Sequence, residues 1–209
     1  MKLTVFGATG DVGKEVVTQA LVQGHQVCAF SRKPEKLQLT HQNLELMKGD
    51  VLDPSGVSRA IQGQDAVICT LGMPILNKDY LRAEGTRNIL QAMEEQRVRR
   101  FVCLSVHGAR SSRKTLPFHY KYFIIPVLLG RVVKDHEMQQ RYIQKSQLDW
   151  VVVRPVNFTK GPHTESYKQD FTAFGEPATF KISYADVADF MLKQLVGNKY
   201  LHQFPSLSY

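Results

Sequence analysis

Gly7, Gly10 and Gly13 stand three residues apart, directly after the apolar run Leu3, Val5, Phe6 and at the start of a helical pattern that begins near Val12. Between a strand signal and a helix signal each glycine has a separate task. Gly7 permits the sharp turn off the strand, Gly10 lets backbone approach a pyrophosphate, and Gly13 lets the helix lie close to the sheet. The unpaired N–H groups and positive dipole end of that helix then face an anion. A dinucleotide fold that prefers the unphosphorylated cofactor carries an Asp or Glu about twenty residues further on. This chain has Ser31, Arg32 and Lys33 there, with Lys36 close behind. A guanidinium grips a 2′-phosphate with paired charge-assisted bonds where a carboxylate repels it. NADPH (NADP+) is therefore the expected cofactor; the competing account is a solvated loop next to Glu35.

Further along, Asp50 and Val51 follow the third apolar run, where an acid accepts from the adenine amino group and valine packs on the ring. Asp53 before Pro54 instead suits a helix N-cap. Leu71, Gly72 and Met73 end the fourth run and are expected to pass under the ribose and nicotinamide. Ser105 and His107 end the fifth, and Pro155, Val156 and Asn157 close the sixth as a wall for the nicotinamide. Ser105 is the candidate for orienting the nicotinamide amide or donating to an acceptor; capping of local backbone is its other reading. His136 is expected on a helix surface beside Asp135, with proton donation as the alternative. His107 and His119 are read as solvated loop histidines. Phe118, Tyr120, Tyr122 and Phe123 make either an apolar lid or core.

The elements that must position these residues alternate strand and helix throughout, which predicts an α/β fold: a Rossmann-type doubly wound parallel sheet. Strands are expected at Leu3–Phe6, Val27–Phe30, Leu44–Met47, Ala66–Leu71, Phe101–Leu104 and Trp150–Val153. Helices are expected over 12–23, 80–96, 135–145 and 184–195, before a short closing strand. At 209 residues a single domain, 1–209, is expected, with a substrate lip from loops around 106–120 and 157–180. No apolar run approaches bilayer length, and the first strand leaves no room for a signal, so a cytoplasmic protein is expected. Cys28, Cys69 and Cys103 sit among apolar neighbours and match no zinc spacing, which predicts buried free thiols and no metal. The net charge of +8 is dispersed, which favours anionic small molecules over nucleic acid.

Taken together, GATGDVG, SRK, GDVLD, CTLGMP, EGTRNILQAM, the pair Leu104–Ser105 and VVVRPVNF resemble the atypical short-chain dehydrogenases/reductases, and within them the biliverdin-IXβ reductase, or flavin reductase, group. The likeness extends over nearly the whole chain, including the tail FPSLSY. It implies an NADPH-dependent enzyme, monomeric, that passes hydride to flavins (FMN, FAD, riboflavin) and to linear tetrapyrroles such as biliverdin. It further implies that Gly7, Thr9, Gly10, Asp11 and Val12 form the pyrophosphate turn and that Arg32 meets the 2′-phosphate. Asp50 and Val51 then meet adenine, Leu71, Gly72 and Met73 the ribose, and Pro155 and Val156 the nicotinamide. Ser105 matches the active-site serine, and His136 falls where the group can carry a histidine. Asn157 replaces a histidine of some members, and Met73 and Pro74 replace more polar residues.

No tyrosine here has lysine four residues later, so the acid that protonates an alkoxide in typical short-chain dehydrogenases is missing. A simple ketone would leave an unstabilised alkoxide, whereas a flavin or tetrapyrrole spreads the incoming charge over its own ring system. The alternative is a non-catalytic NADP-sensing regulator of the NmrA-like kind, which also lacks the pair. A structural partner protein that keeps the fold as a platform is the third reading.

Overall fold

The computed structural model describes residues 1–72, 80–109, 130–170 and 179–209. Met73, Pro74, Phe118, His119, Tyr120, Tyr122 and Phe123 lie outside them, as does much of each expected substrate loop.

Apolar residues at both parities of β1 (Lys2–Phe6) require a strand covered on both faces, and the fold supplies two layers. Leu3 and Val5 join α1 (Asp11–Val22) and, from the end of the chain, α5 (Tyr184–Lys193) in one core. Phe6 joins Val67, Cys69, Ile89, Phe101 and Trp150 in the other, under α2 (Pro54–Ile61), α3 (Leu81–Gln96) and α4 (Gly130–Lys145).

Between the layers lie β2 (Gln26–Ser31), β3 (Leu44–Lys48), β4 (Ala66–Cys69), β5 (Arg100–Leu104) and β6 (Asp149–Pro155). With β1, β8 (Lys168–Gln169) and β10 (Ser206–Ser208) they form, among the described residues, an eight-stranded sheet of order β3-β2-β1-β4-β5-β6-β10-β8. All neighbours are parallel except β8 against β10. The expected doubly wound sheet is thus present, and the order reverses between β1 and β4. A crevice at the carboxyl ends of the strands follows from that reversal. Cys28, Cys69 and Cys103 are buried free thiols.

Element ends differ from expectation in instructive ways. α4 begins at Gly130, five residues before the expected Asp135, so His136 lies inside the helix. The region after β6, read as turn-rich lip, contains β7 (Asn157–Thr159), paired in parallel with β9 (Lys181–Ser183). Asp186 on α5 then ties the following loop down. Its carboxylate accepts from Thr164 N–H at 2.7 Å, Glu165 N–H at 2.9 Å, and the Thr164 and Tyr209 hydroxyls at 2.6 and 2.7 Å. Among the described residues, no helix is long and apolar enough to cross a membrane.

Candidate active site

Gly7 leaves β1 at a φ of +81°, a left-handed conformation that side chains resist, and a Cβ there would lie 2.6 Å from the Thr70 carbonyl oxygen. Gly13 sits where a Cβ would run into the Gly7 carbonyl, so the first turn of α1 can press against the loop that precedes it. Gly10 is the N-cap and offers no side-chain acceptor. Two of the other helices differ: Asp53 caps α2 by accepting from Ser55 and Gly56 N–H at 3.1 Å each, and Ser183 caps α5 by accepting from Asp186 N–H at 3.0 Å. α1 therefore starts with donors that no side chain of its own cap satisfies, at the mouth of the crevice.

A cavity of about 560 Å³ opens there. It runs from Gly7, Thr9 and Gly10 past Phe30 and Ser31 to Arg32, Lys33 and Lys36, and is closed by Gly49, Asp50, Val51, Leu71, Gly72 and Leu81. The three cations make no ion pair with another described residue, and Glu35 does not line the cavity. Asp50 holds its loop by accepting from Leu52 N–H at 3.0 Å, and Asn88 of α3 donates to the Val51 carbonyl at 3.0 Å. Of the expected cofactor residues, Asp11, Val12 and Gly13 lie behind the cavity on α1. Val12 is buried, so only its backbone could meet a phosphate.

Pro155, Val156 and Asn157 lie away from this cavity, across β5. The Pro155 carbonyl accepts from His107 N–H at 2.9 Å, Val156 points into the α1–α5 core, and Asn157 is exposed at the start of β7. Gly49, Phe30, Ser31 and Leu81 are cavity residues not singled out as site candidates in sequence. Gly49 adjoins Asp50 and Ser31 adjoins Arg32, and Phe30 lies one residue further back at the end of the same strand.

Ser105 and His136 do come together. His136 is 7% exposed rather than on the surface, and its Nδ1 lies 3.2 Å from Ser105 Oγ. The cause is the register of α4: Val133, His136, Gln140 and Ile143 share one stripe that faces the sheet. Ser105 does not cap local backbone through its hydroxyl. Gln140 Nε2 donates to its Oγ at 2.8 Å, while Gln139 bridges His136 Nδ1 (3.3 Å) to Thr86 Oγ1 (3.0 Å). Burial, with the Arg82 guanidinium nearby, pushes the His136 imidazole down to about 3, so the ring is neutral. His107 is also buried, against expectation. It pairs with the Ser206 hydroxyl at 3.1 Å, and burial and then Arg154 push it down to about 4.

α4 is held in place by Asp135. Tyr80, the N-cap of α3, supplies no capping bond, and Asp135 of α4 takes over: it accepts from Ala83 N–H at 2.9 Å and Arg82 N–H at 3.3 Å. It also pairs with Arg82 Nη1 at 3.2 Å, both side chains being buried. That cluster fixes α4 against α3 and so sets the height of His136, Gln139 and Gln140 over Ser105.

A doubly wound sheet with an uncapped glycine turn and a cationic pocket at its switch point defines a dinucleotide-binding protein. The pattern of the NAD(P)H-binding family matches residues 7–197, and the chain belongs to that family. It is 30% identical over 175 residues to an uncharacterised chloroplastic protein of Arabidopsis thaliana, covering 78% of this chain and 61% of the plant protein. The chain spans 31% to 61% of the length of three curated relatives it matches. Among solved structures it is similar to ChuY, an anaerobillin reductase from Escherichia coli O157:H7, with 22% identity, coverage of 100% and 97%, and a TM-score of 0.82. It is likewise similar to a short-chain dehydrogenase/reductase of Veillonella parvula in complex with NADP, with 13% identity, coverage of 100% and 94%, and a TM-score of 0.83.

Proposed function

We propose that this protein is an NADPH-dependent reductase that passes hydride to planar, charge-delocalising acceptors, flavins (FMN, FAD, riboflavin) and linear tetrapyrroles such as biliverdin. The observation that carries the reading is the single cavity joining the uncapped start of α1 to Arg32, Lys33 and Lys36. Its two ends match the two phosphate-bearing parts of NADPH. The N–H groups of Asp11, Val12 and Gly13 hold the pyrophosphate, and Arg32 with Lys36 holds the 2′-phosphate. Asp50 and Val51 take the adenine and Leu71 and Gly72 the ribose, and the nicotinamide end extends from there past the cavity toward the turn at Pro155, Val156 and Asn157.

When bound, the cofactor supplies the hydride. The chain orients and shields. Ser105 donates to the nicotinamide amide or to the acceptor, and the neutral His136 supports Ser105 and is no proton source near neutral pH. Without a Tyr-x-x-x-Lys acid, the acceptor has to stabilise its own reduced form and draw its proton from water. The likeness to the E. coli anaerobillin reductase supports the tetrapyrrole part of this reading. Three unpaired thiols fit a reducing cytoplasm, and a dispersed charge of +8 with Arg32, Lys33 and Lys36 on the cavity fits a monomer that takes small-molecule acceptors rather than nucleic acid.

The test is turnover. NADPH mixed with the protein and FMN, or biliverdin, loses its nicotinamide absorbance. Tight NADP binding with no turnover on either acceptor means a sensor instead.

A further inference from the structure

The buried polar side chains around Ser105 form a chain whose hydrogen-bond polarity can be followed link by link. Gln139 gives its Nε2–H to Thr86 Oγ1 at 3.0 Å, which turns its Oε1 toward His136 Nδ1 at 3.3 Å. With the amide in that orientation its oxygen only accepts, which puts the proton of the neutral imidazole on Nδ1 and leaves Nε2 bare. That Nδ1 also lies 3.2 Å from Ser105 Oγ, and Gln140 Nε2 donates to the same oxygen at 2.8 Å. One Nδ1 proton, shared between Gln139 Oε1 and Ser105 Oγ, and one Gln140 N–H converge on a hydroxyl that has two lone pairs. The only hydrogen-bonding capacity left to Ser105 is its own proton.

We propose that Gln140, and Gln139 acting through His136, are positioning residues that make Ser105 an obligatory hydrogen-bond donor, so that the ligand atom it meets must bear a lone pair. The groups that fit are the nicotinamide carboxamide oxygen and a carbonyl oxygen or unprotonated ring nitrogen of the oxidised acceptor. A serine–histidine nucleophile works the other way round, with the imidazole taking the serine proton. A donor fixed in advance toward an atom that gains negative charge as hydride arrives favours the transition state over the ground state. Gln140 is fully buried, and its Oε1 has no partner among the described residues. Methionine would fill similar volume without that unsatisfied oxygen, so Gln140 carries a stability cost against which its donation to Ser105 stands.

The identity of the ligand atom rests on the proposed function, whereas the polarity belongs to the protein alone, and the experiment separates the two. Side-chain nitrogen-15 spectra of the ligand-free chain, with the His136 signals assigned through a His136→Gln variant, are expected to show a pyrrole-like Nδ1 and a pyridine-like Nε2. The reverse tautomer overturns the inference whatever the enzyme does. In turnover, Gln140→Met is expected to lower kcat about tenfold or more, the loss of roughly one hydrogen bond in the transition state, with the NADPH KM within about twofold. It is expected to add no further loss in a Ser105→Ala background. An unchanged kcat alongside a lowered melting temperature reduces Gln140 to a structural role and also overturns the proposal. If the wild type reduces no acceptor, the proposed function fails and the tautomer still decides this inference.

Discussion

Arg32 and Ser105 directly follow β2 and β5, which β1 and β4 separate, so under the proposed function they address different parts of one extended cofactor. Arg32→Ala removes a charge that only the phosphorylated cofactor can use. Its dissociation constant for NADPH should rise by about tenfold or more, the worth of a charge-assisted bond, with NADH little changed. Titration calorimetry with both cofactors checks this, and equal weakening removes Arg32 from the 2′-phosphate. Ser105→Ala should lose turnover while holding NADPH as tightly as wild type; unchanged rates refute its assignment. At this scale the glycine turn and the place of Arg32 on the cavity were legible because both are local, a turn and a charge just past a strand. His136 was not. Its burial depends on α4 presenting His and Gln residues inward, and a stripe of polar residues gives no apolar period to read.

Among the elements, α3 and α4 have the junction on which Ser105 depends. Asp135 caps α3 and neutralises Arg82, both from a neighbouring helix. Asp135→Ala should therefore cost about 3 kcal/mol or more, because it leaves a buried guanidinium without its carboxylate. Asp135→Asn keeps a capping oxygen and should recover about 1 kcal/mol of that loss. Denaturant unfolding of both variants measures the difference, and identical midpoints would deny the cap. The strands were readable from their apolar runs. The pairing of β7 with β9 and the fastening of 164–165 to Asp186 were not, since each joins segments about twenty residues apart through bonds that leave no periodic mark. Asp53 succeeded as a cap in sequence because cap and helix are contiguous, whereas Asp135 caps a helix that begins more than fifty residues earlier.

For the molecule as a whole, the two buried histidines set an acid limit. His107 and His136 titrate near 4 and 3 in the fold and near 6.5 when unfolded. Between about pH 6.5 and 4 the unfolded chain binds protons that the folded chain refuses, so stability falls as pH drops through that window and is insensitive to these groups above it. Melting temperatures from pH 8 to pH 4 should show the decline, and His107→Gln should flatten part of it. The doubly wound sheet was legible throughout, because alternating apolar runs and helical patterns allow few other packings. The acceptor was not, because the chain there offers loops rather than a pattern. Hydride transfer itself is tested most directly by a single anaerobic turnover with NADPH deuterated at the transferable C4 position and biliverdin as acceptor. The account predicts deuterium on the reduced carbon of the tetrapyrrole, with one label transferred per cofactor oxidised. A bound cofactor that retains its label, or product formed without it, contradicts the account.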